Sequence, residues 1–141
     1  MKVLIAVTHL LGTGHLSRAL TLGRAFAAAG HQVCVASGGF AAPQLNTDNV
    51  DLLQLPPLRS DGVDFTRLLT ASGEVADAAY YSKRQDALCT ALTELQPDIL
   101  ITELYPFGRR SLAEEFKALL SAAHTMPRRP VVLASIRDIL A

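Results

Sequence analysis

An excess of charge of either sign is missing from this chain of 141 residues: thirteen Lys and Arg stand against thirteen Asp and Glu, a formal net charge of zero. That balance removes the electrostatic footprint of a protein that lives on nucleic acid or anionic lipid, so no nucleic-acid partner is expected. Charge is scarce altogether, 18% of residues against 50% hydrophobic, with a mean hydropathy of +0.26. Such a composition excludes disorder and solvating tails. Cysteine is limited to Cys34 and Cys89, far apart and without a second thiol or a histidine at metal-ligand spacing. A disulfide framework is thereby excluded, and two free thiols in apolar surroundings are expected. No run approaches the roughly 18 unbroken apolar residues of a membrane helix. The opening MKVLIAVTHLL is interrupted by Thr8 and His9 and has no small-residue cleavage site after it, so it reads as a first strand and the protein as cytoplasmic. Repeats and low-complexity segments are absent too. What remains is one globular domain, able to bury about two thirds of its unfolded surface, whose ligand is small and uncharged or locally anionic.

The pattern along the chain is that of an α/β domain. Lys2 to Thr8 is a continuous apolar run without polar alternation, as expected of a parallel strand buried on both faces. From His15 to Ala29 the period changes to that of an amphipathic helix, with Leu16, Ala19, Leu20, Gly23, Phe26 and Ala27 on one face and Gly30 as the carboxyl-terminal cap. His31 to Ser37 and Val50 to Leu55 are the second and third strands, closed by Gly38-Gly39 and Pro56-Pro57. Arg59 to Gly73 lacks a clean period and reads as a long loop with one helical turn near Phe65 to Leu69. A helix is expected over Glu74 to Leu95, stopped by Pro97, then a fourth strand over Asp98 to Thr102. A loop from Glu103 to Gly108 leads into a helix ending near Ala123, and Val131 to Ser135 is the fifth strand. Right-handed crossovers put these strands in the order 3-2-1-4-5, a Rossmann-like three-layer sandwich with its switch point between strands one and four. Ligands of open α/β sheets bind at the carboxyl ends there, which singles out the loops His9 to His15 and Glu103 to Arg110.

Gly12-Thr13-Gly14 lies between a strand and a helix, where glycines let a ligand approach the backbone and the helix amino terminus offers N–H groups to an anion. A tight turn without a ligand is the bland alternative. A dinucleotide fold does not fit: Ser17 occupies the third glycine position of G-x-G-x-x-G, and no acid occurs between His31 and Thr47 to hold a ribose hydroxyl. With no G-K-[ST] either, neither a nicotinamide, flavin or other cofactor nor a P-loop hydrolase is indicated. His15 falls in the first helical turn, where the positive end of the dipole favours a neutral imidazole able to accept a proton, or where it simply packs. Glu103 closes strand four across the crevice from His15, placed to orient the imidazole, to bind a sugar hydroxyl, or to be an ordinary strand-end acid. Arg18, one turn after His15, is solvated or meets a phosphate. Arg109 and Arg110 begin a helix against its dipole, which calls for a ligand or Glu114 to compensate them. Tyr105 and Phe107 in the same loop offer rings for packing or for sugar stacking.

The run GTGHLSRALTLGRAFAAAGHQVCVASGG, Gly12 to Gly39, resembles the amino-terminal signature of GT-B glycosyltransferases related to the lipid II-forming N-acetylglucosaminyltransferase. Together with DILITELYPFGRR, Asp98 to Arg110, and SIRDIL, Ser135 to Leu140, it is similar to a bacterial group of predicted glycosyltransferases. The pattern from Gly12 to Leu22 is also similar to nucleotide-sugar hydrolases whose corresponding histidine activates water. The resemblance implies that Gly12, Thr13 and Gly14 flank the donor diphosphate and the acceptor, and that His15 is the catalytic base or an acceptor orienter. Glu103 is its carboxylate partner by topology; Arg18, Tyr105, Phe107 and Arg109 are candidate substrate contacts. It implies metal-independent transfer of a sugar from a nucleotide-diphosphate donor to an acceptor hydroxyl. The alternatives are hydrolysis of a nucleotide sugar by His-activated water and a non-catalytic binding module of the same fold. The lipid II enzyme has a second glycine directly before its histidine after a longer turn, where this chain has Thr13-Gly14-His15. GT-B enzymes carry a second Rossmann-like domain that binds most of the nucleotide sugar, so residues 1 to 141 are expected to be the acceptor-side half, inactive alone. Peripheral membrane contact and self-association through surface left bare by that missing half stay open.

Overall fold

The computed structural model describes residues 1–63, 67–103, 105 and 112–136. Five strands, β1 (Lys2–Val7), β2 (Gln32–Ser37), β3 (Asp51–Gln54), β4 (Ile99–Glu103) and β5 (Val131–Ser135), form one sheet in the order β3-β2-β1-β4-β5. Every neighbouring pair is parallel, with Ala6 opposite Ala36 on one side and Thr102 on the other. β1 sits in the middle, and all its residues after Lys2 are buried, which is why its sequence shows no alternation.

Helix α1 (Gly14–Ala28) packs on one face against Val3, Ile5, Val7, Val33 and Val35. It comes close because Gly23 has no side chain: a Cβ there would stand 3.4 Å from methyls of Val33, Val35 and Val50. The helix ends as expected, with Gly30 at φ +94, its N–H on the Ala27 carbonyl and the His31 N–H on that of Phe26, which satisfies the last carbonyls. The opposite face carries α2 (Ala78–Leu95) and α3 (Ala113–His124), packed on each other and on Leu4, Ala6, Ala36 and Leu100.

Two expectations are corrected. The helix expected from Glu74 begins only at Ala78, because residues 74–76 are engaged in extended pairing: Val75 bridges Leu69, and the Ala76 N–H bonds the Leu68 carbonyl. Asp77 then caps α2, its Oδ1 accepting from the Tyr80 N–H at 2.9 Å. In the loop from Arg59, Leu69 is extended and bridges Arg59 as well, while residues 64–66 of the expected helical turn lie outside the described residues. Leu58 and Leu68, at 0% and 1% exposure, bury this loop's base in the core. β5 pairs fully with β4, yet Val131, Val132 and Leu133 are exposed at 60%, 48% and 47%, unlike any other apolar strand run here. Among the described residues no helix is long and apolar enough to cross a membrane.

Candidate functional site

The carboxyl ends of β1 and β4 are adjacent, and the turn after β1 delivers α1 over them. Gly12 adopts φ +64, a conformation that favours glycine, and Thr13 is the N-cap of α1, with no side-chain cap bond. Gly14 opens the helix, and among the described residues a Cβ there would meet nothing within 4 Å. Packing among the described residues therefore does not require a glycine at this helix amino terminus.

His15, the second residue of α1, and Glu103, the last of β4, come together: Nδ1 and Oε1 are 3.3 Å apart, with side-chain exposures of 16% and 2%. A carboxylate at that nitrogen selects the tautomer with the proton on Nδ1 and leaves Nε2 as the basic nitrogen. The arrangement is thus an imidazole held by a buried carboxylate, a geometry compatible with proton transfer.

The other sequence candidates are placed differently. Arg18 is exposed and its Nη2 donates to the Ile136 carbonyl just past β5, tying α1 to the far edge of the sheet. Tyr105 stacks on Phe116 at 4.9 Å with rings 5° from parallel, and its carbonyl accepts from Thr102 Oγ1 at 2.7 Å, so its ring is committed to packing. Phe107, Arg109 and Arg110 lie outside the described residues. Glu114 is exposed and pairs with Lys117 at 3.8 Å. Cys34 and Cys89 are free, half-buried thiols. Burial, and secondarily the charge of Asp51, pushes Cys34 up to about 11, which keeps it protonated and unreactive at neutral pH. Cys34 lines a hollow of about 480 Å³ between β2, β3 and α2, walled by Leu53, Ala91 and Leu95 and remote from the carboxyl ends.

Beside the glycine turn the structure opens a more polar groove of about 380 Å³. Three segments wall it: residues 9–13, Phe40 with Ala41, and residues 59–61. The Arg59 guanidinium lies 5.7 Å above the Phe40 ring, a cation–π distance, and the Ser60 N–H holds the Leu10 carbonyl at 3.0 Å.

Beneath the groove lies a buried ion pair that the sequence reasoning missed. Arg84 of α2 is 0% exposed and Glu115 of α3 is 4% exposed. The pair is bidentate, Nε to Oε1 at 2.9 Å and Nη2 to Oε2 at 3.0 Å. Nη1 donates to the carbonyls of Gly38, at 2.7 Å, and Pro56, and Nη2 reaches Thr8 Oγ1 at 3.3 Å. A signal existed: Arg84 continues the i, i+4 row of Leu88 and Leu92, and Glu115 that of Leu119 and Ala123, so both occupy positions a core-facing stripe gives to apolar residues. Among the described residues no group of three or more His, Cys, Asp or Glu is arranged to hold a metal ion.

No protein-family model and no curated protein matches the chain. Solved structures do. SsfS6, a glycosyltransferase of Streptomyces sp. SF2575, matches with a TM-score of 0.55 at 14% identity, over 94% of this chain and 49% of its own. CalG4, the calicheamicin glycosyltransferase, matches with a TM-score of 0.57 at 17% identity, over 99% of this chain and 33% of its own. UGT2 of Phytolacca americana, solved with UDP-2fluoro-glucose and pterostilbene, gives 0.55 at 15% identity, over 94% and 30%. The chain has the Rossmann-like fold found in glycosyltransferases of the GT-B type, and it spans between 30% and 49% of the length of these neighbours.

Proposed function

We propose that residues 1–141 form the acceptor-side domain of a GT-B glycosyltransferase whose nucleotide-binding wall is a second domain outside this chain. The observation that carries this reading is the His15–Glu103 contact, formed at the switch point between β1 and β4 in the first turn of α1. In the reaction, Nε2 of His15 takes the proton of an acceptor hydroxyl as its oxygen attacks the anomeric carbon of the donor. The bond to the nucleoside diphosphate breaks, and Glu103 balances the imidazolium. In this reading N–H groups of the Gly12–Gly14 turn stabilise the charge that develops on the diphosphate, and the groove beside them takes the acceptor. The neighbour solved with a uridine diphosphate sugar analogue and pterostilbene supports a nucleotide-diphosphate sugar as the donor class and a hydroxylated acceptor.

One wall of a two-domain cleft binds weakly. A few hydrogen bonds in an open, wet groove correspond to a Kd no better than about 1 mM, near 4 kcal/mol. NMR titration of residues 1–141 with uridine, guanosine and thymidine diphosphate sugars is expected to shift the Gly12 and Gly14 amides at millimolar ligand and to release no product. Micromolar binding, or sugar transfer by this chain alone, overturns the half-enzyme reading. In the complete enzyme, a glycoside as product supports transfer, and free sugar in the presence of acceptor would assign the chemistry to hydrolysis instead.

A further inference from the structure

The three segments that wall the groove leave the sheet at three different places, and one guanidinium is bonded at the root of each. Thr8 is the last residue before the wall 9–13, and its Oγ1 meets Arg84 Nη2. Gly38 precedes Gly39 and the wall Phe40–Ala41, and its carbonyl takes Arg84 Nη1. Pro56 precedes the stretch that runs to residues 59–61, and its carbonyl takes the same Nη1. Glu115 fixes the guanidinium from below by both oxygens, which leaves Nη1 for the carbonyls.

We propose that Arg84 is a positioning residue that sets the width of the groove, acting through the roots of its three walls without touching the ligand. The packing around it is built for this purpose. A Cβ on Gly38 would lie 2.2 Å from Thr8 Oγ1 and 2.5 Å from Arg84 Nη2, so only glycine lets the β2 end close on the clamp. On Gly39 it would lie 2.5 Å from the His9 backbone oxygen and ring, so the first two walls also meet above it. The third wall is linked in turn, as the Leu58 N–H bonds the Gly38 carbonyl and the Ser60 N–H the Leu10 carbonyl, both at 3.0 Å. A planar fork with five donors can serve three roots and a carboxylate at once; an ammonium cannot. Because Glu115 belongs to α3, the groove is also coupled to the helix that follows the Glu103 loop.

The proposal rests on the acceptor-side reading for its purpose, but not for its test. The amides of Gly38, Leu58 and Ser60 are hydrogen-bonded at these roots and report on them by NMR hydrogen exchange. The double variant Arg84→Met, Glu115→Leu replaces the pair by apolar groups of similar volume, an exchange that buried pairs often tolerate. Expected are a lowered but still cooperative unfolding transition, since the Thr8, Gly38 and Pro56 acceptors lose Arg84, and exchange at the three root amides faster by about tenfold or more relative to that at Ile5 and Ile101. Parent-like exchange at all three overturns the clamp. Should that variant fail to fold, Arg84→Lys keeps a cation beside Glu115 but cannot reach every root: faster exchange at the roots relative to Ile5 and Ile101 supports the clamp, and unchanged exchange overturns it. Faster root exchange with an unaltered affinity for every groove ligand supports the clamp and counts against the acceptor reading, so the two fail separately.

Discussion

Two acid–base pairs stand at the carboxyl end of the same sheet, a floor pair in the interior at the roots of the groove walls and a mouth pair at the β1–β4 switch point, and they are built in different ways. At the floor, Arg84 and Glu115 are almost completely sealed, and the guanidinium spreads its donors over both carboxylate oxygens, two carbonyls and a hydroxyl. At the mouth, Glu103 is just as sealed, at 2% exposure, but the His15 side chain that meets it at 3.3 Å keeps 16% of its surface open. A buried charge is tolerable only when its hydrogen bonds are made, and making them all leaves nothing for a substrate. The floor pair is therefore a fastening, and the mouth pair, whose imidazole stays partly open, is the one to which the proposed function gives proton transfer. The exposure of the nitrogen-bearing partner separates the two, which the burial of the carboxylate does not.

Removing one partner of the floor pair attacks the comparison most directly. Arg84→Ala strands the Glu115 carboxylate and three backbone or hydroxyl acceptors in the interior, and it is expected to cost about 3–5 kcal/mol by urea denaturation, the range for a broken buried pair. A loss under about 1 kcal/mol would mean that the floor is as loose as the mouth. Gly38→Ala is expected to follow at about 1–3 kcal/mol, because its new methyl meets Thr8 Oγ1 and the guanidinium and must push the β2 end or the clamp aside. Gly14→Ala, where a Cβ meets nothing, is the matched control, with no loss expected.

The same contrast explains what could be read from the sequence. Continuous apolar runs revealed the five strands, their order and the switch point, because a parallel sheet buries both faces of its central strands. The caps were legible where the chemistry is local, as at Gly30 and before Pro97. The onset of α2 was not, because Val75 fits a helical stripe by spacing while it is in fact bridged to Leu69, a residue six positions away in an adjoining extended segment. The mouth pair was legible because both residues lie at element ends that topology alone brings together. The floor pair was hidden, because its two partners are charged residues 31 positions apart whose meeting depends on how α2 packs on α3. Phe40 and Arg59 were missed for the same reason: a groove wall contributed by two loops has no period.

The mouth pair should show the inverse of the floor pair's behaviour. His15→Ala leaves the buried Glu103 carboxylate without its imidazole and is expected to cost about 1–3 kcal/mol of folding free energy, while on the proposed reading turnover of the complete enzyme falls roughly 10²- to 10⁴-fold, the usual contribution of a general base. Glu103→Gln, which keeps an acceptor near Nδ1 but not the charge, should fall between His15→Ala and the parent in turnover. Unchanged turnover in His15→Ala would move the base elsewhere and dissolve the functional half of the comparison, whereas a stability loss as large as that of Arg84→Ala would make His15 a second fastening.

The smallest effect is expected at the opposite end of the sheet, where a third carboxylate tests whether burial is the variable that matters. Asp98 accepts the Lys2 N–H at 2.8 Å through Oδ2 and faces Arg128 at 3.0 Å through Oδ1, but the arginine is 87% exposed. The Lys2 hydrogen bond, with the nearby charge of Arg128 assisting, holds the Asp98 carboxyl below its ordinary value of 3.8. A depressed folded-state pKa stabilises the protein above the unfolded value, and that stabilisation disappears as pH falls through the folded one. Asp98→Asn should therefore lower the denaturation midpoint slightly at pH 7, and the gap from the parent should close below a pH of about 4, where the parent's own carboxylate becomes protonated. Added salt at pH 7 should narrow the gap as well, since the exposed partner is screened, and it should leave the Arg84→Ala gap nearly untouched. A gap at Asp98 that ignores both pH and salt would show that an exposed pair can fasten this fold as firmly as a sealed one, and the distinction between floor and mouth would then have to rest on something other than burial.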